Sequence, residues 1–266
     1  MTSGPKQPDP GLYLVATPIG AARDITLRAL DLLTHAEALA AEDTRTLRHL
    51  MDIHGVPLAG RTLIAYHDHN GAAARPRILG LLAEGRSVAY ASEAGTPLVA
   101  DPGFDLVRAA AAAGHKVFAA PGASAVLAAL TVSGLPSDRF LFAGFPPATA
   151  AARRRWLADL AGVQATLILY ESPKRIQAML TDCVQSLGGA RRAALCRELT
   201  KRFEEVRRGT LEGLAADMAA QDVKGEIVLV IDRAAEVATD AATLDRALTD
   251  KPASRALRLA SSSRLA

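Results

Sequence analysis

Three turns rich in glycine and proline are the parts of this sequence best suited to hold a ligand. They lie at residues 16–20, 92–103 and 121–125, and each follows a short apolar run that is typical of a strand. Ligands in open α/β sheets bind at the carboxyl ends of strands, and glycine lets a ligand approach the backbone closely. The twelve residues of 92–103 contain more glycine, proline and acid than a simple turn needs. We therefore expect the three turns to converge on one cleft.

Polar residues follow two other apolar runs in the first half of the chain. Glu42 and Asp43 stand at the start of a predicted helix, where acids cap the helix and interact well with its dipole. That explanation does not cover Arg45, which could point into the cleft. The spacing of His67-Asp68-His69 places both rings on one face of a strand, but no third metal ligand follows at convincing spacing. We predict a polar segment along the cleft and no metal site.

Three polar clusters stand at predicted strand ends in the second half, at 170–175, 197–201 and 224–227. In the first of them a proline stands at the start of a helix. Glu171 and Glu198 have lysine or arginine close by, and such pairs at a surface contribute little to stability. If these clusters face the first three turns, they form the other wall of the cleft.

Three common ligand and catalytic motifs are absent from the sequence. There is no G-x-G-x-x-G after the first strand and no G-x-x-x-x-G-K-[ST], which excludes a dinucleotide fingerprint and a P-loop. There is no G-x-S-x-G nucleophile elbow either. The ligand must therefore be held by the glycine- and proline-rich turns themselves.

The elements that position these residues alternate between strands and helices. The predicted strands include the segments 38–41, 140–144, 203–209 and 227–231, and Asp24 is the predicted cap of the first helix. Over about the first 140 residues this alternation indicates parallel strands joined by right-handed crossovers. The second half alternates less regularly, so we predict a mixed sheet there. The segment Phe-Pro-Pro-Ala-Thr at 145–149 breaks both periodicities and is the best linker candidate. We predict two α/β domains, at 11–144 and 150–233, followed by a tail at 234–266.

Composition and charge narrow the classes of function. The chain has 266 residues, of which 50% are hydrophobic, and this is ample for a packed core. Six Phe, four Tyr and one Trp are few, which disfavours a protein that stacks bases on aromatic platforms. Residues 1–120 carry 11 basic and 12 acidic side chains, whereas residues 121–266 carry 20 and 16. The basic pairs of the second half therefore favour a polyanionic partner.

Cysteine use and hydropathy indicate the compartment. Two cysteines, Cys183 and Cys196, cannot build a disulfide framework. The first eleven residues are polar and lack the apolar core of a signal peptide. No apolar run approaches the roughly 20 residues of a membrane span. We expect a soluble, cytoplasmic protein with no membrane partner.

Nine short motifs occur in order over residues 11–232: VATPIG, AAEDTR, HDHN, SEAGTPLVADPG, PGASA, GLPSDRF, YESPKR, RELTK and KGEIVLV. Together they resemble the ribosomal RNA small subunit methyltransferase I family, ribose 2′-O-methyltransferases of the tetrapyrrole-methylase superfamily. The resemblance implies two α/β domains with S-adenosyl-L-methionine bound in the cleft between them. It also implies a homodimer that acts on a cytidine of the decoding region, in 16S rRNA or the small ribosomal subunit.

The resemblance also implies roles for individual residues. Cofactor contacts fall on Pro18, Glu93, Gly95, Thr96, Val99, Ser124, Ala125, Tyr170, Leu199 and Glu226. The residues expected to bind RNA phosphates are Lys174, Arg175, Lys201 and Arg202. Because a methyl group on a sulfonium is already activated, the protein mainly has to align the ribose hydroxyl and to supply a base. The catalytic candidates are Arg45 and Glu171, and after them Asp43, His67 and Asp68.

The sequence departs from the family pattern at three places. Ala21-Ala22 replaces the usual Asn-Leu, Glu93 replaces Asp, and residues 252–266 resemble only the beginning of a further helical segment. The first two changes bear on cofactor geometry, and the third bears on RNA or dimer contacts.

Two alternative functions stay open. One is a methylase of a tetrapyrrole-like acid, which the basic second half would also suit. The other is a nucleotide-sensing module that binds its ligand in the same cleft without turnover.

Overall fold

A five-stranded parallel sheet occupies the first half of the chain, as the alternation of strands and helices predicts. The computed structural model describes residues 7–219, 221 and 223–235. The first five strands are β1 (Gly11–Val15), β2 (Ala38–Ala41), β3 (Thr62–Ala65), β4 (Ser87–Ala91) and β5 (Val117–Ala120). They are ordered β3-β2-β4-β1-β5, and every pairing is parallel. Their carboxyl ends therefore meet along one edge.

Helices cover both faces of this sheet because successive side chains of its buried strands point to opposite sides. They are α1 (Leu27–His35), α2 (Thr44–Ile53), α3 (Gly71–Ala83) and α4 (Phe104–Ala112). Tyr13 and Val15 of β1 belong to the core formed with α1 and α2, whereas Leu12 belongs to the core formed with α3 and α4. The sheet is thus buried on two sides, and only its strand ends are free to line a site.

Side-chain caps fix where the first two helices begin. The hydroxyl of Thr26 accepts a hydrogen bond from the backbone N–H of Ala29 at 3.1 Å, so Thr26 is the cap of α1. The proposal that Asp24 caps this helix is wrong, because Asp24 lies in a preceding 3-10 turn. A carboxylate oxygen of Asp43 accepts from the N–H groups of Arg45 and Thr46 and caps α2. Capping of this kind stabilises a helix by about 1 kcal/mol.

The second sheet is mixed, which confirms the prediction for the second half. Its strands are β6 (Phe140–Gly144), β7 (Thr166–Glu171), β8 (Arg192–Arg197), β9 (Glu205–Thr210) and β10 (Ile227–Ile231), in the order β6-β7-β10-β8-β9. Only β6 and β7 are parallel; the other three pairings are antiparallel. The strand predicted at 203–209 begins later because 198–204 form a loop with positive φ at Glu198 and Thr200.

Strand β6 lies in the second sheet, although its residues fall within the 11–144 segment predicted as the first domain. The chain therefore passes from one sheet to the other before residue 140, and the Pro146-Pro147 break follows the first strand of the new sheet. The described residues up to Arg233 belong to one compact unit. The division into domains stays a prediction, and the tail predicted at 234–266 lies outside the described residues from 236 onward.

Helix α5 (Ala125–Ser133) follows β5 of the first sheet and packs on one face of the second sheet. Val126, Ala129 and Leu130 of α5 pack with Ile168 of β7 and Val228 of β10. The opposite face of the second sheet is covered by α6 (Ala150–Leu160), α7 (Ile176–Leu187) and α8 (Leu211–Ala219). Each large apolar side chain buried in this way contributes about 1.5–3 kcal/mol. The start of α5, which directly follows the turn 121–125, is therefore fixed against the second sheet.

Candidate functional site

A pocket of about 430 Å³ lies where the strand ends of the two sheets face each other. This volume is within the range of about 300–1,000 Å³ that is typical of small-molecule sites. One wall comes from the loop after β4 and the start of α5; the other comes from the loop after β7 and from β10 with the residues before it. Among the described residues that line the pocket, four are acidic and none is basic.

Hydrogen bonds hold the three glycine- and proline-rich turns together, so the convergence expected from the sequence is present. The backbone of Thr17 exchanges two hydrogen bonds with Gly95, at 2.9 and 3.0 Å. The hydroxyl of Thr96 donates to the carbonyl of Ala123 at 3.0 Å. These bonds join the turn 16–20 to the loop 92–103, and that loop to the turn 121–125.

The loop 92–103 holds two ordinary side chains in a backbone conformation that usually needs glycine. Leu98 has φ of 71° and Ala100 has φ of 61°. Residues held in this region cost about 1–3 kcal/mol each and cluster at ligand-binding sites. In the loop after β8, which contacts the lining residue Glu226, Glu198 and Thr200 show the same feature, with φ of 52° and 64°. One wall of the pocket and the loop that supports the other wall thus have shapes imposed by surrounding contacts.

Glu198, Lys201 and Glu226 form an ion-pair cluster at the second wall, called the clasp below. The ammonium of Lys201 lies 3.0 Å from Glu198 Oε1 and 2.7 Å from Glu226 Oε2, and Glu198 Oε1 also accepts from the N–H of Glu226. That hydrogen bond and the neighbouring lysine lower the pKa of Glu198. Gly225 has φ of +92°, and a Cβ atom there would lie 2.4 Å from the Glu198 side chain. Glycine is therefore required beside this clasp.

Asp101 is the acid of the pocket whose environment is most unusual. Its Oδ2 atom is buried and has no hydrogen-bond partner. Burial, and then the charges of Glu42, Glu93 and Asp68, raise the pKa of Asp101 to about 7. Sequence reasoning does not single out this residue; the only signal is its place in the loop 92–103.

Aromatic side chains close one end of the pocket. Tyr170 packs edge-on against Phe142 and Phe145, with ring centroids 4.8 and 5.4 Å apart. Burial, and then the charge of Asp101, raise the pKa of Tyr170 to about 12, so its hydroxyl keeps its proton at neutral pH. Phe145 lines the pocket although 57% of it is exposed. It belongs to the predicted linker, where the sequence indicates no site.

The structure brings most of the predicted cofactor positions together. Eight line the pocket: Glu93, Gly95, Thr96, Val99, Ser124, Ala125, Tyr170 and Glu226. Pro18 does not, although its neighbour Ile19 does. Leu199 is buried in the core shared by α5 and the second sheet. The role of each residue in cofactor binding stays a prediction.

The catalytic candidates are more scattered. The side chain of Arg45 is 91% exposed and lies 3.5 Å from Asp43, the cap of α2. The backbone N–H of His67 donates to Asn70 Oδ1 at 2.8 Å, and the next residue, Asp68, is exposed. None of these four side chains is among the described residues that line the pocket.

Glu171 does line the pocket, but its carboxylate is engaged within the protein. Its side chain is fully buried, and Oε1 accepts from the N–H of Ser172 at 2.8 Å. Oε2 lies 3.1 Å from the guanidinium of Arg175 in an ion pair without hydrogen-bond geometry. Arg175 also donates to the carbonyls of Pro146 and Pro147, at 2.6 and 3.1 Å. The pair therefore fastens the linker to the end of β7.

The four predicted RNA contacts fall into two kinds. Arg175 and Lys201 bind groups of the protein itself, in the linker contact and in the clasp. Lys174 and Arg202 are exposed, and the guanidinium of Arg202 lies over the ring of Phe203, 5.4 Å from its centroid. Of the predicted set, Lys174 and Arg202 are thus the two whose charges are directed outward.

The described part of the chain offers neither a metal-binding cluster nor a membrane-spanning helix. No group of three or more His, Cys, Asp or Glu side chains in that part of the chain could hold a metal ion. No helix among the described residues is both long and apolar enough to cross a membrane.

Comparison with known families and sequences gives consistent matches. Residues 11–215 match the family described as Tetrapyrrole (Corrin/Porphyrin) Methylases. Ribosomal RNA small subunit methyltransferase I of Mesorhizobium japonicum is 51% identical over 261 residues, which cover 96% of this chain and 88% of the relative. The protein of that name in Mycobacterium tuberculosis is 46% identical over 84% of this chain and 78% of its own length.

Solved structures show the same fold at low sequence identity. The methyltransferase CobJ has a TM-score of 0.65 and 19% identity, covering 85% of this chain and 95% of its own. Uroporphyrin-III C-methyl transferase from Thermus thermophilus, solved with S-adenyl homocysteine, has a TM-score of 0.55 and 21% identity over 84% of this chain and 97% of its own. At such identities the likeness concerns the fold alone.

Proposed function

The chain belongs to the tetrapyrrole methylases and, within them, to the ribosomal RNA small subunit methyltransferase I family, and from this premise we propose its reaction. Membership makes it a methyltransferase of ribosomal RNA that uses S-adenosyl-L-methionine. We propose that it methylates the ribose 2′-oxygen of a cytidine in the decoding region of 16S rRNA. The observation that carries this proposal is the 51% identity over 96% of the chain.

The pocket fits the cofactor in charge and in polarity. A sulfonium and an ammonium are cations, and Glu93 and Glu226 give the lining an acidic character. Apolar side chains such as Ile19 and Val99 offer contact to a nucleoside. When bound, the cofactor supplies a methyl group that is already activated toward a nucleophile.

The residues of the chain then have two tasks. The three hydrogen-bonded turns and the clasp hold the pocket in one shape, so that a ribose hydroxyl that enters it is aligned for the reaction. Such positioning lowers the barrier by on the order of 7–11 kcal/mol in favourable cases. Exposed Lys174, which directly follows the pocket-lining Pro173, is placed to hold an RNA phosphate at the rim. Affinity for RNA gained in this way falls steeply with salt.

The same charges disfavour the alternative of a tetrapyrrole-like acid. A substrate with several carboxylates would meet Glu93 and Asp101, the two lining acids that form no ion pair with a described residue, and like charges repel. Arg175 and Lys201 do not offset this, because each is already paired with another lining acid, Glu171 or Glu226. An RNA substrate avoids the conflict, since only one ribose has to enter while its phosphates stay at the rim.

A homodimer and a cytoplasmic location belong to the same proposal. Strand β6 is at the edge of the second sheet, and Phe140 and Leu141 on it are exposed. Exposed apolar edges of this kind are usually covered by a partner. Sedimentation of the purified protein tests this part, and we expect the mass of two chains.

Methyl transfer to immature small subunits tests the reaction. Subunits from cells that lack the protein are incubated with it and with labelled cofactor, and the labelled nucleoside is identified after digestion. We expect 2′-O-methylcytidine at one site, and no label when subunits from normal cells are used. Binding of the cofactor without transfer to any small-subunit RNA would refute the proposal and favour a sensing module.

A further inference from the structure

We propose that Asp101 accepts the proton of the ribose hydroxyl during methyl transfer, at its unpartnered Oδ2 atom. This inference rests on the proposed function and deepens it, because it names the base that a 2′-O-methyl transfer needs. Asp101 lines the pocket and has a buried oxygen without a partner. A buried acceptor left without a donor is costly in a folded protein, so a donor supplied by the substrate is the natural explanation.

The backbone holds Asp101 from both sides. Ala100 before it has φ of 61°, a strained conformation for a residue with a side chain. On the C-terminal side of Asp101, the hydroxyl of the buried Tyr90 donates a hydrogen bond to the carbonyl of Pro102 at 3.0 Å. Tyr90 is part of β4, so the backbone next to Asp101 is tied to the core of the first sheet. A base positioned in this way needs little reorganisation when the substrate arrives.

Charged and titratable groups face Asp101 from several elements. Glu42 follows β2, Asp68 follows β3 and Glu93 follows β4, and all three raise the affinity of Asp101 for a proton, after the larger effect of burial. The charge of Asp101 in turn helps to raise the pKa of Tyr170 at the end of β7 and of Tyr90 in β4, after the larger effect of burial. Burial and the three carboxylates raise the pKa of Asp101 to about 7. A base is most effective when its pKa is near the working pH.

The other carboxylates near the pocket are less suited to accept a proton. Glu171 is ion-paired with Arg175, Glu226 binds Lys201, and Asp43 caps α2. The two N–H groups that Asp43 accepts from lower its pKa. Glu93 is exposed at the mouth of the pocket.

The step balances in atoms and charge. The O–H bond of the ribose breaks and its proton goes to Oδ2 of Asp101, while an electron pair of the ribose oxygen forms the new bond to the methyl carbon. The pair of the broken carbon–sulfur bond stays on sulfur, which becomes neutral. One negative and one positive charge therefore disappear together. Because opposite charges that vanish together leave nothing to be solvated, a partly buried pocket favours this step.

The test compares Asp101→Asn with Asp105→Asn, an exposed acid four residues away that is paired with Arg75 and Arg108. Three quantities are measured on the full chain: the cofactor affinity by calorimetry, the carboxyl carbon titration by ¹³C NMR, and the single-turnover rate on immature subunits between pH 5.5 and 9. Melting curves establish that each variant is folded.

We expect Asp101→Asn to lower the single-turnover rate about 10²–10⁴-fold, with a cofactor affinity within about threefold of the wild type. The wild-type rate rises with pH to a plateau above about 7, the variant shows no such rise, and one carboxyl resonance that titrates near 7 is lost. Asp105→Asn keeps the rate, the pH profile and that resonance.

Three outcomes would overturn the assignment: an Asp101→Asn rate within threefold of the wild type, an equal fall in cofactor affinity and rate, or no carboxyl titrating near 7. An inactive wild-type enzyme, or one that methylates a base atom, would instead refute the proposed function. In that case the proton-acceptor role falls with it, while the NMR titration still shows whether the environment of Asp101 is as described.

Discussion

Replacing Arg175 by methionine separates two roles that this residue could have, an RNA contact and a structural tie. In the structure its guanidinium pairs with Glu171, whose side chain is 0% exposed, and binds two carbonyls of the linker. Removing one partner of a buried ion pair costs about 3–5 kcal/mol, because a buried charge is left unpaired. We expect the lower end, about 3 kcal/mol, since the Arg175 side chain is 32% exposed.

Urea unfolding measures this cost, with the fluorescence of Trp156 as a probe because that residue packs against the core of the second sheet. The double variant Glu171→Gln with Arg175→Met should recover most of the loss, because it removes the buried charge as well. Lys174→Met is the matched control. Its side chain is exposed, so we expect a change in stability within about 0.5 kcal/mol.

Salt dependence of RNA binding completes the comparison. Loss of one phosphate contact lowers the slope of log affinity against log salt by about 0.7–0.9. We expect this change for Lys174→Met and not for Arg175→Met. A stability loss below about 1 kcal/mol for Arg175→Met, together with a reduced salt slope, would show that Arg175 holds RNA and that the structural reasoning is wrong.

Three further predictions concern the pocket. Gly225→Ala should lower the free energy of unfolding by about 1–3 kcal/mol and weaken cofactor binding, because the new Cβ would lie 2.4 Å from the Glu198 side chain and displace it. Gly162→Ala, where nothing lies within 4 Å of the new Cβ, should leave binding unchanged. Equal effects of the two changes would contradict this. Asp101→Asn should stabilise the fold at pH 8 and have no effect near pH 4. The pKa of this acid rises from 3.8 in the unfolded chain to about 7 in the folded protein, so the contribution of Asp101 to stability falls as pH rises through that window. A difference in melting temperature that does not depend on pH would refute the assigned environment. Ser124→Phe should fill the pocket and lower cofactor affinity more than tenfold without a large change in melting temperature, and unchanged affinity by calorimetry would mean that the cofactor binds elsewhere.

The sequence predicts the fold well because its apolar runs are short and regular. The runs at 38–41, 140–144 and 227–231 match β2, β6 and β10 residue for residue. The pairing of β6 is the part that could not be foreseen, since an apolar run does not show which sheet it joins. The cap of α1 was misplaced for a related reason: Asp24 and Thr26 are both good caps, and only the backbone geometry shows which one is used.

The site was predictable in its location and less so in its chemistry. Glycine and proline mark the turns, and these do meet at one pocket. Whether a charged side chain faces that pocket or binds its own protein depends on distant residues. Arg175 finds the carbonyls of Pro146 and Pro147, and Lys201 finds Glu226. Asp101 acquires its unusual environment from burial and from acids that follow β2, β3 and its own strand β4. Such long-range juxtapositions leave no local signal in a sequence.

The most direct test of the central claim is the identity of the nucleoside that receives the methyl group. Immature small subunits are incubated with the purified chain and with cofactor labelled in its methyl group, and the RNA is digested to nucleosides and separated. We predict that the label is found in 2′-O-methylcytidine from a single position of 16S rRNA. Label in a base-methylated nucleoside, or no label in RNA while the cofactor is bound, would contradict the account.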